Sequence, residues 1–139
     1  MLSDNVRDFL DQNHQAVLTT FRGNGAAQMS VITVGLYRDG VAFTTTGGRA
    51  KLANLVREPR CSLLVSKQDW WEYVVLEGRA TVLAADNTDA DELRHALRDV
   101  YRAASGQDHP DWDEYDAAMV KDRRAAVVVV PDHVYGTAV

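Results

Sequence analysis

The chain contains 139 residues, of which 46% are hydrophobic and 25% charged, and its formal net charge is −5 at pH 7. This length suits one domain with a buried core, spanning residues 1–139, and no apolar run approaches the roughly 20 residues that a transmembrane helix needs. The acidic balance argues against a nucleic-acid-binding protein, which would need a broad basic face.

The N-terminal segment and the cysteine content indicate the cellular compartment. The N-terminal segment MLSDNVRDFLDQN is polar and amphipathic, which is not typical of a secretory signal peptide. Cys61 is the single cysteine, and one cysteine forms neither an internal disulfide nor a Cys-based metal site. We therefore expect a reducing, cytoplasmic setting.

The first third of the chain predicts one helix and three strands. Ser3 can cap a helix that continues to about Asn13. Three segments rich in β-branched and aromatic residues follow, separated by the turn sequences RGNG and RDG. These segments predict an antiparallel meander with strands at 16–21, 27–37 and 41–46.

The middle of the chain predicts a short helix between strands. Gly47 and Gly48 end the third strand, and residues 49–58 form a helix that Pro59 terminates. Its expected inward side chains are Leu52, Leu55 and Val56. Strands follow at 60–67 and 72–84, and Gly78 indicates a bulge or bend in the second of them.

The last third predicts two helices and a closing strand. Residues 87–105 carry a capping sequence and apolar side chains at helical spacing, and residues 109–122 form a second helix. Residues 123–136 end the chain with a strand. Six strands, mostly consecutive, with about four helices predict an α+β or small β-barrel protein with an antiparallel sheet, not an alternating Rossmann sheet.

A basic stretch stands out within this acidic chain. The sequence TTTGGRAKLANLVREPR (44–60) contains four cationic residues and one acid. Lys51, Asn54 and Arg57 share a helix face, and the free N–H groups and positive dipole end of the helix suit a phosphate. The sequence lacks Walker spacing, so an anion site and a solvated amphipathic helix explain this stretch equally well.

Three further groups have two interpretations each. Gln28 and Ser30 could hydrogen-bond the edge of a heterocycle or end a strand in solvent. Thr44, Thr45 and Thr46 could contact an anion or be ordinary strand residues. The pair Trp70–Trp71 could form an interface or stacking surface, or fold back on the core.

Catalytic and metal patterns are weak. The four histidines are scattered without metal-ligand spacing, so we expect no metal site. Cys61 at a strand start suits the core better than nucleophilic catalysis.

The ordered set of these segments resembles the pyridoxamine 5′-phosphate oxidase-like split β-barrel superfamily, and within it the coenzyme F420-dependent proteins of actinobacterial type. The segments that carry the resemblance are AVLTTFRGNGAAQMSVITV, RAKLANLVREPRCSLLV, WWEYVVLEGRATV and YRAASGQDHPDWDEYDAAMVKDRRAAVVVVPDHVYG. The resemblance implies a homodimer of six-stranded antiparallel split barrels with flanking helices and two cofactor sites at the subunit interface.

The resemblance also implies roles for individual residues. Arg49, Lys51 and Asn54, helped by Thr46, would hold the cofactor phosphate, and Arg60 would extend this basic surface along an anionic tail. Gln28, Ser30 and Val31 would lie along the flavin or deazaflavin ring. Trp71 would reach the pocket from the partner subunit.

The implied activity is hydride transfer from reduced coenzyme F420 to a conjugated small molecule that is quinone-, biliverdin- or enone-like. The cofactor supplies the hydride chemistry and the protein supplies binding and orientation. The alternatives are an FMN-dependent oxidoreductase of the same fold and an F420-binding carrier with little turnover. No nucleic acid or membrane partner is expected, and the sequence does not identify a catalytic proton donor.

Overall fold

The protein, described by a computed structural model for residues 2–139, contains four helices and one seven-stranded sheet within these residues. In chain order the elements are α1 (Asp4–Gln12), β1 (Gln15–Phe21), β2 (Ala27–Thr33), β3 (Gly35–Tyr37), β4 (Gly40–Thr45), α2 (Ala50–Arg57), β5 (Arg60–Ser66), β6 (Tyr73–Leu83), α3 (Ala90–Ser105), α4 (Trp112–Lys121) and β7 (Ala125–Tyr135).

The sheet is antiparallel and strongly curled. Its strand order is β2-β1-β5-β6-β7-β4-β3, so the strands at its two edges are β2 and β3. Because Val34 alone separates these two strands in the chain, the edges must meet there and the sheet curls into a half-barrel. The predicted α+β class with an antiparallel barrel and flanking helices is therefore confirmed.

The prediction of six strands was wrong, because the segment 27–37 forms two strands and not one. β2 pairs with β1, whereas β3 pairs with β4. Between them the Val34 N–H donates to the His14 carbonyl at 2.9 Å, and the Val34 carbonyl accepts from His14 Nδ1 at 2.8 Å. These bonds hold the bend that sends one continuous β-rich segment to both edges of the sheet.

Both long helices begin later than predicted. Asp89 caps α3, because Asn87 forms a turn in which its side chain bonds the Ala84 N–H and the Val82 carbonyl. Asp111 caps α4 through the Glu114 N–H at 3.1 Å. The predicted bulge at Gly78 is confirmed by a register shift between Glu77 and Gly78 in the β6–β7 pairing.

Two hydrophobic clusters cover the two faces of the sheet. One fills the barrel interior with α1 and α2 against it, and the other lies between the outer face and helices α3 and α4. Along β7, Val127 and Val129 belong to the first cluster, whereas Ala126 and Val128 belong to the second. A strand covered on both faces needs no polar alternation, which explains the run AAVVVV.

Cys61 lies in the barrel core at 2% exposure, and burial raises the pKa of its thiol to about 11. The predicted core position is confirmed, and the thiol is held in its unreactive protonated form.

None of the helices within residues 2–139 is long and apolar enough to cross a membrane. Within the same residues, His, Cys, Asp and Glu side chains form no group of three or more that could hold a metal ion.

Candidate functional site

A cavity of about 700 Å³ opens between the sheet and the helices α3 and α4. Strand residues from β2 and β4, the turn before α2 and the first residues of α2 form one wall. The other wall comes from the C-terminal half of α3, from α4 and from the residue before β7. The lining residues are Val31, Ile32, Thr33, Thr44, Thr45, Thr46, Arg49, Lys51, Val100, Tyr101, Ala104, Ser105, Tyr115, Met119 and Arg124.

The turn between β4 and α2 positions the cationic side chains. The Arg49 N–H donates to the Thr46 carbonyl at 3.3 Å, and Gly48 adopts a left-handed conformation with φ +87° that suits a residue without Cβ. Arg49 is the N-cap of α2, and its side chain makes no capping hydrogen bond. The free N–H groups of the first turn therefore lie beside Arg49 and Lys51.

The cavity carries positive charge without a compensating acid. Arg49, Lys51 and Arg124 line it, and no Asp or Glu is among its lining residues in the part of the chain described. The pKa of Lys51 is lowered first by burial and then by the charges of Arg49 and Arg124. Three cations that repel one another are stabilised when an anion binds between them.

Arg124 has an unused hydrogen-bond donor. Its Nη1 donates to Thr44 Oγ1 at 3.2 Å. Its Nε is buried without a partner, and within residues 2–139 no other buried side-chain nitrogen or oxygen lacks one. A buried donor without a partner costs about 1–3 kcal/mol, so an anionic oxygen that accepts from it would contribute more than its charge alone.

The titration of Lys51 makes anion binding pH-dependent. A bound anion raises the pKa of Lys51, so affinity is full below the lowered pKa of the free protein and falls as pH rises through it. We expect sulfate affinity to decline at a pH below the ordinary lysine value of 10.5. The measurement is a sulfate titration by calorimetry at several pH values between about 7 and 10.

The control is Lys51→Arg, because a guanidinium stays charged throughout this range. Sulfate affinity of this variant should be independent of pH. An equal decline in both proteins would contradict the role given to Lys51.

Four of the predicted site residues meet in this cavity. Val31 enters from β2, Thr46 follows β4, and Arg49 and Lys51 come from the start of α2. The basic stretch of the sequence therefore faces a defined cavity and is not simply a solvated helix face.

Asn54 does not line the cavity. It is only 6% exposed, and its Nδ2 donates to Thr20 Oγ1 at 3.1 Å and to Gln28 Oε1 at 3.2 Å. Its Oδ1 accepts from Arg57 Nη2 at 3.3 Å. Asn54 therefore fastens α2 to the barrel and does not line the cavity. The helix is rotated accordingly, so that Val56, predicted to point inward, is 69% exposed.

Gln28 and Ser30 lie half-buried on the face of β2 opposite to Val31. Gln28 Oε1 also accepts from Arg22 Nε at 3.3 Å. Neither residue lines the cavity within this chain, and their contact with a ring stays a prediction.

Arg60 and Trp71 also lie outside the cavity. The Arg60 guanidinium stacks over the Phe21 ring at 4.4 Å, and its Nε is 3.6 Å from Glu58 Oε1. Trp71 is 81% exposed in the loop between β5 and β6. Trp71 does not fold back on the core, which was the alternative to a role at an interface.

Sequence reasoning missed part of the site. Arg124, Tyr101, Ser105, Tyr115 and Met119 line the cavity but were not predicted to do so. The register that pairs Thr45 with Ala125 places Arg124 beside the end of β4. The other four residues come from α3 and α4, which pack beside the paired strands β4 and β7. Local sequence patterns do not reveal this pairing. Burial raises the pKa of Tyr115 to about 12, and its hydroxyl donates to the Leu97 carbonyl at 2.8 Å.

Comparison with known proteins identifies the family. The pyridoxamine 5′-phosphate oxidase family matches residues 2–138, and the chain belongs to this family. Over 142 aligned residues it is 32% identical to the F420H(2)-dependent biliverdin reductase of Mycobacterium tuberculosis (strain CDC 1551 / Oshkosh), covering 99% of this chain and 89% of that protein.

Solved structures show the same fold at lower identity. An F420 reductase superposes with a TM-score of 0.66 at 18% identity, covering 96% of this chain and 98% of that one. A pyridoxamine 5′-phosphate oxidase-related, FMN binding protein from Nostoc punctiforme PCC 73102 superposes with a TM-score of 0.69 at 14% identity, covering 98% of this chain and 85% of that one.

Proposed function

We propose that this protein is an oxidoreductase that binds coenzyme F420 and uses its reduced form to deliver a hydride to a conjugated small molecule. The observation that carries this proposal is the cavity, which within residues 2–139 has three cationic lining residues, no acidic one and a buried Arg124 Nε without a partner. A relative that is 32% identical over nearly the whole chain and is an F420H(2)-dependent reductase supports the choice of cofactor.

The donor set of the cavity suits the phosphate of such a cofactor. Arg49 and Arg124 offer planar guanidinium donors, and Lys51 offers a point charge. The hydroxyls of Thr44 and Thr46 add neutral donors beside them. The apolar side chains of Val31, Ile32 and Met119 would leave the flat ring a wall without competing hydrogen bonds.

The protein's part in the reaction is binding, orientation and the exclusion of water, while the reduced deazaflavin ring would supply the hydride. Among the residues that line the cavity, the titratable side chains are three cations and two tyrosines. Because Tyr115 donates to Leu97 and has a raised pKa, it is poorly placed to exchange a proton. Solvent is therefore the proposed source of the proton that the acceptor takes up.

A homodimer would complete the cavity. Met29 and Val31 project from the same face of the edge strand β2 at 65% and 75% exposure, and Val31 also lines the cavity. A second copy seated on this face would bury both side chains and could bring its Trp71 to the ring. Light scattering at several concentrations tests this arrangement, and a monomer at all of them would contradict it.

Arg124 should contribute to cofactor binding although the basic stretch does not contain it. We expect Arg124→Gln to weaken F420 binding by about 1.5–3 kcal/mol, because a charge-assisted hydrogen bond is lost. The matched control is Arg7→Gln, an exposed arginine on α1. Equal affinities of the Arg124 and Arg7 variants would contradict the placement of the anion beside Arg124.

An FMN-dependent oxidoreductase is the second candidate, because an FMN binding protein from Nostoc punctiforme PCC 73102 has the same fold. A protein that is yellow when purified, with a flavin spectrum, would favour FMN. The third candidate, a carrier, would bind F420 tightly and turn over no acceptor.

Single-turnover oxidation of reduced F420 tests the proposed reaction. The protein is mixed with reduced F420 and a panel of quinones, biliverdin and enones, and the return of the oxidised deazaflavin absorbance is followed. At least one acceptor should give a rate that depends on protein concentration. Tight binding of F420 with no accelerated acceptor would support the carrier and overturn the enzymatic proposal.

A further inference from the structure

A second cavity of about 790 Å³ lies between the N-terminal half of α3 and the C-terminal half of α4. It is as large as many small-molecule sites, which span about 300–1,000 Å³. It shares Met119 and Arg124 with the first cavity, but its other lining residues are different. The site proposed above for the cofactor therefore leaves this cavity without a function.

The floor of the second cavity is apolar. Leu93 and Leu97 of α3 and Ala117 and Val120 of α4 line it. Val120 is 80% exposed, although it lies on the wall of a concave surface. A ligand that covers an exposed aliphatic side chain in a concavity removes apolar surface from water, and this favours binding.

The rim of the same cavity is cationic. Arg94, Lys121 and Arg123 line it, together with Arg124, whose Nη1 donates to Thr44 in the first cavity. Asp116 is the one acidic lining residue within residues 2–139. Asp116 is already paired with Arg98 at 2.5 Å, and this guanidinium lowers the pKa of the carboxyl group.

The rim cations have few partners of their own. Arg94 pairs with Asp91 at 3.1 Å. Within residues 2–139, neither Lys121, Arg123 nor Arg124 forms a salt bridge. The field at the rim is therefore positive in a chain that is acidic overall.

We propose that this cavity is a second ligand site, and that its ligand is a small amphipathic carboxylate with an apolar body. The apolar body would cover Leu93, Leu97 and Val120, and the carboxylate would lie against Lys121 and Arg94. A polar anionic chain, such as an oligoglutamate, would satisfy the rim but leave the floor exposed to water. A neutral apolar molecule would leave the rim without a partner.

The test uses octanoate as the probe and needs no cofactor, so it is independent of the proposed oxidoreductase activity. Octanoate, octanol and octylamine are titrated into the isotopically labelled protein, and the methyl signals of Leu93, Leu97 and Val120 are followed. Octanoate should bind saturably and more tightly than octanol, and octylamine should bind most weakly. Octylamine binding as tight as octanoate binding would overturn the proposal.

Two variants localise the site. Val120→Asp introduces a carboxylate into the apolar wall and should weaken octanoate binding at least about tenfold. The matched control is Val56→Asp, which changes another exposed helical valine, at 69% exposure, outside this cavity. The double variant Arg94→Gln with Lys121→Gln should weaken octanoate about three- to tenfold and leave octanol binding unchanged.

Two further results would contradict a ligand site in the second cavity. Equal octanoate affinity of the Val120 and Val56 variants would place the probe elsewhere and contradict the proposal. A change from dimer to monomer on Val120→Asp, seen by light scattering, would show that this face joins two copies of the chain and would equally contradict it.

Discussion

Replacing Lys51 by Ala should weaken F420 binding by about 1.5–3 kcal/mol, or roughly 10- to 150-fold in Kd. The ammonium group lines the same cavity as Arg49 and Arg124, whose charges help to lower its pKa, and no acid lines this cavity within residues 2–139. Its removal takes away one charge-assisted contact with the phosphate. The net loss is reduced because the repulsion among the three cations is relieved at the same time. Isothermal calorimetry at low and moderate ionic strength measures the effect.

Two further variants serve as controls for Lys51→Ala. Lys51→Arg should recover most of the affinity, since it restores the charge. Lys121→Ala removes a lysine outside this cavity and should leave the F420 affinity unchanged. An unchanged Kd in Lys51→Ala would contradict the phosphate role of the basic stretch.

Replacing Gly35 by Ala should lower the free energy of unfolding by about 2–4 kcal/mol. A Cβ at Gly35 would lie 2.3 Å from the carbonyl carbon of Ala103 and 2.5 Å from the backbone nitrogen of Ala104. Backbone atoms of a helix cannot yield as the end of a flexible side chain can. The strand β3 and the helix α3 must therefore separate, and urea denaturation measures the loss.

The same substitution should disturb the site. Ala104 and Ser105, next to the point of contact, line the cavity, so displacement of α3 should also weaken anion binding. The matched control is Gly23→Ala, because a Cβ there meets nothing within 4 Å and the residue has no positive φ. If Gly35→Ala and Gly23→Ala have the same urea midpoint of unfolding, α3 does not approach β3 as closely as described.

The strands and the short basic helix were predictable from local patterns. The tight turns, the break after Thr46 and the β-branched runs each depend on a few neighbouring residues, and these indicated the hairpins β1–β2 and β3–β4, the helix α2 and the position of Arg49 and Lys51. The predicted three-stranded meander was wrong, because the two hairpins lie at opposite edges of the sheet. The bend at Val34 was not predictable in this way. It depends on hydrogen bonds to His14, which lies 20 residues away, and the segment itself has β propensity throughout.

The missed site residues have a related cause. Arg124 lies 80 residues from Thr44, to which it donates, and only the pairing of β4 with β7 brings them together. Asn54 was grouped with Lys51 and Arg57 because helical periodicity gives spacing but not rotation about the helix axis. The buried hydroxyl of Thr20 and the side-chain amide oxygen of Gln28 accept from Asn54 and fix that rotation.

Titration of the purified protein with F420 and, separately, with FMN tests the central claim most directly. Tryptophan fluorescence reports binding, since the chain contains three tryptophans and Trp71 is expected at the cavity of a dimer. The account predicts saturable binding of F420, weaker binding of FMN, and loss of the F420 response in a variant that lacks both Arg49 and Lys51. Binding of neither compound, or tighter binding of FMN than of F420, would contradict it.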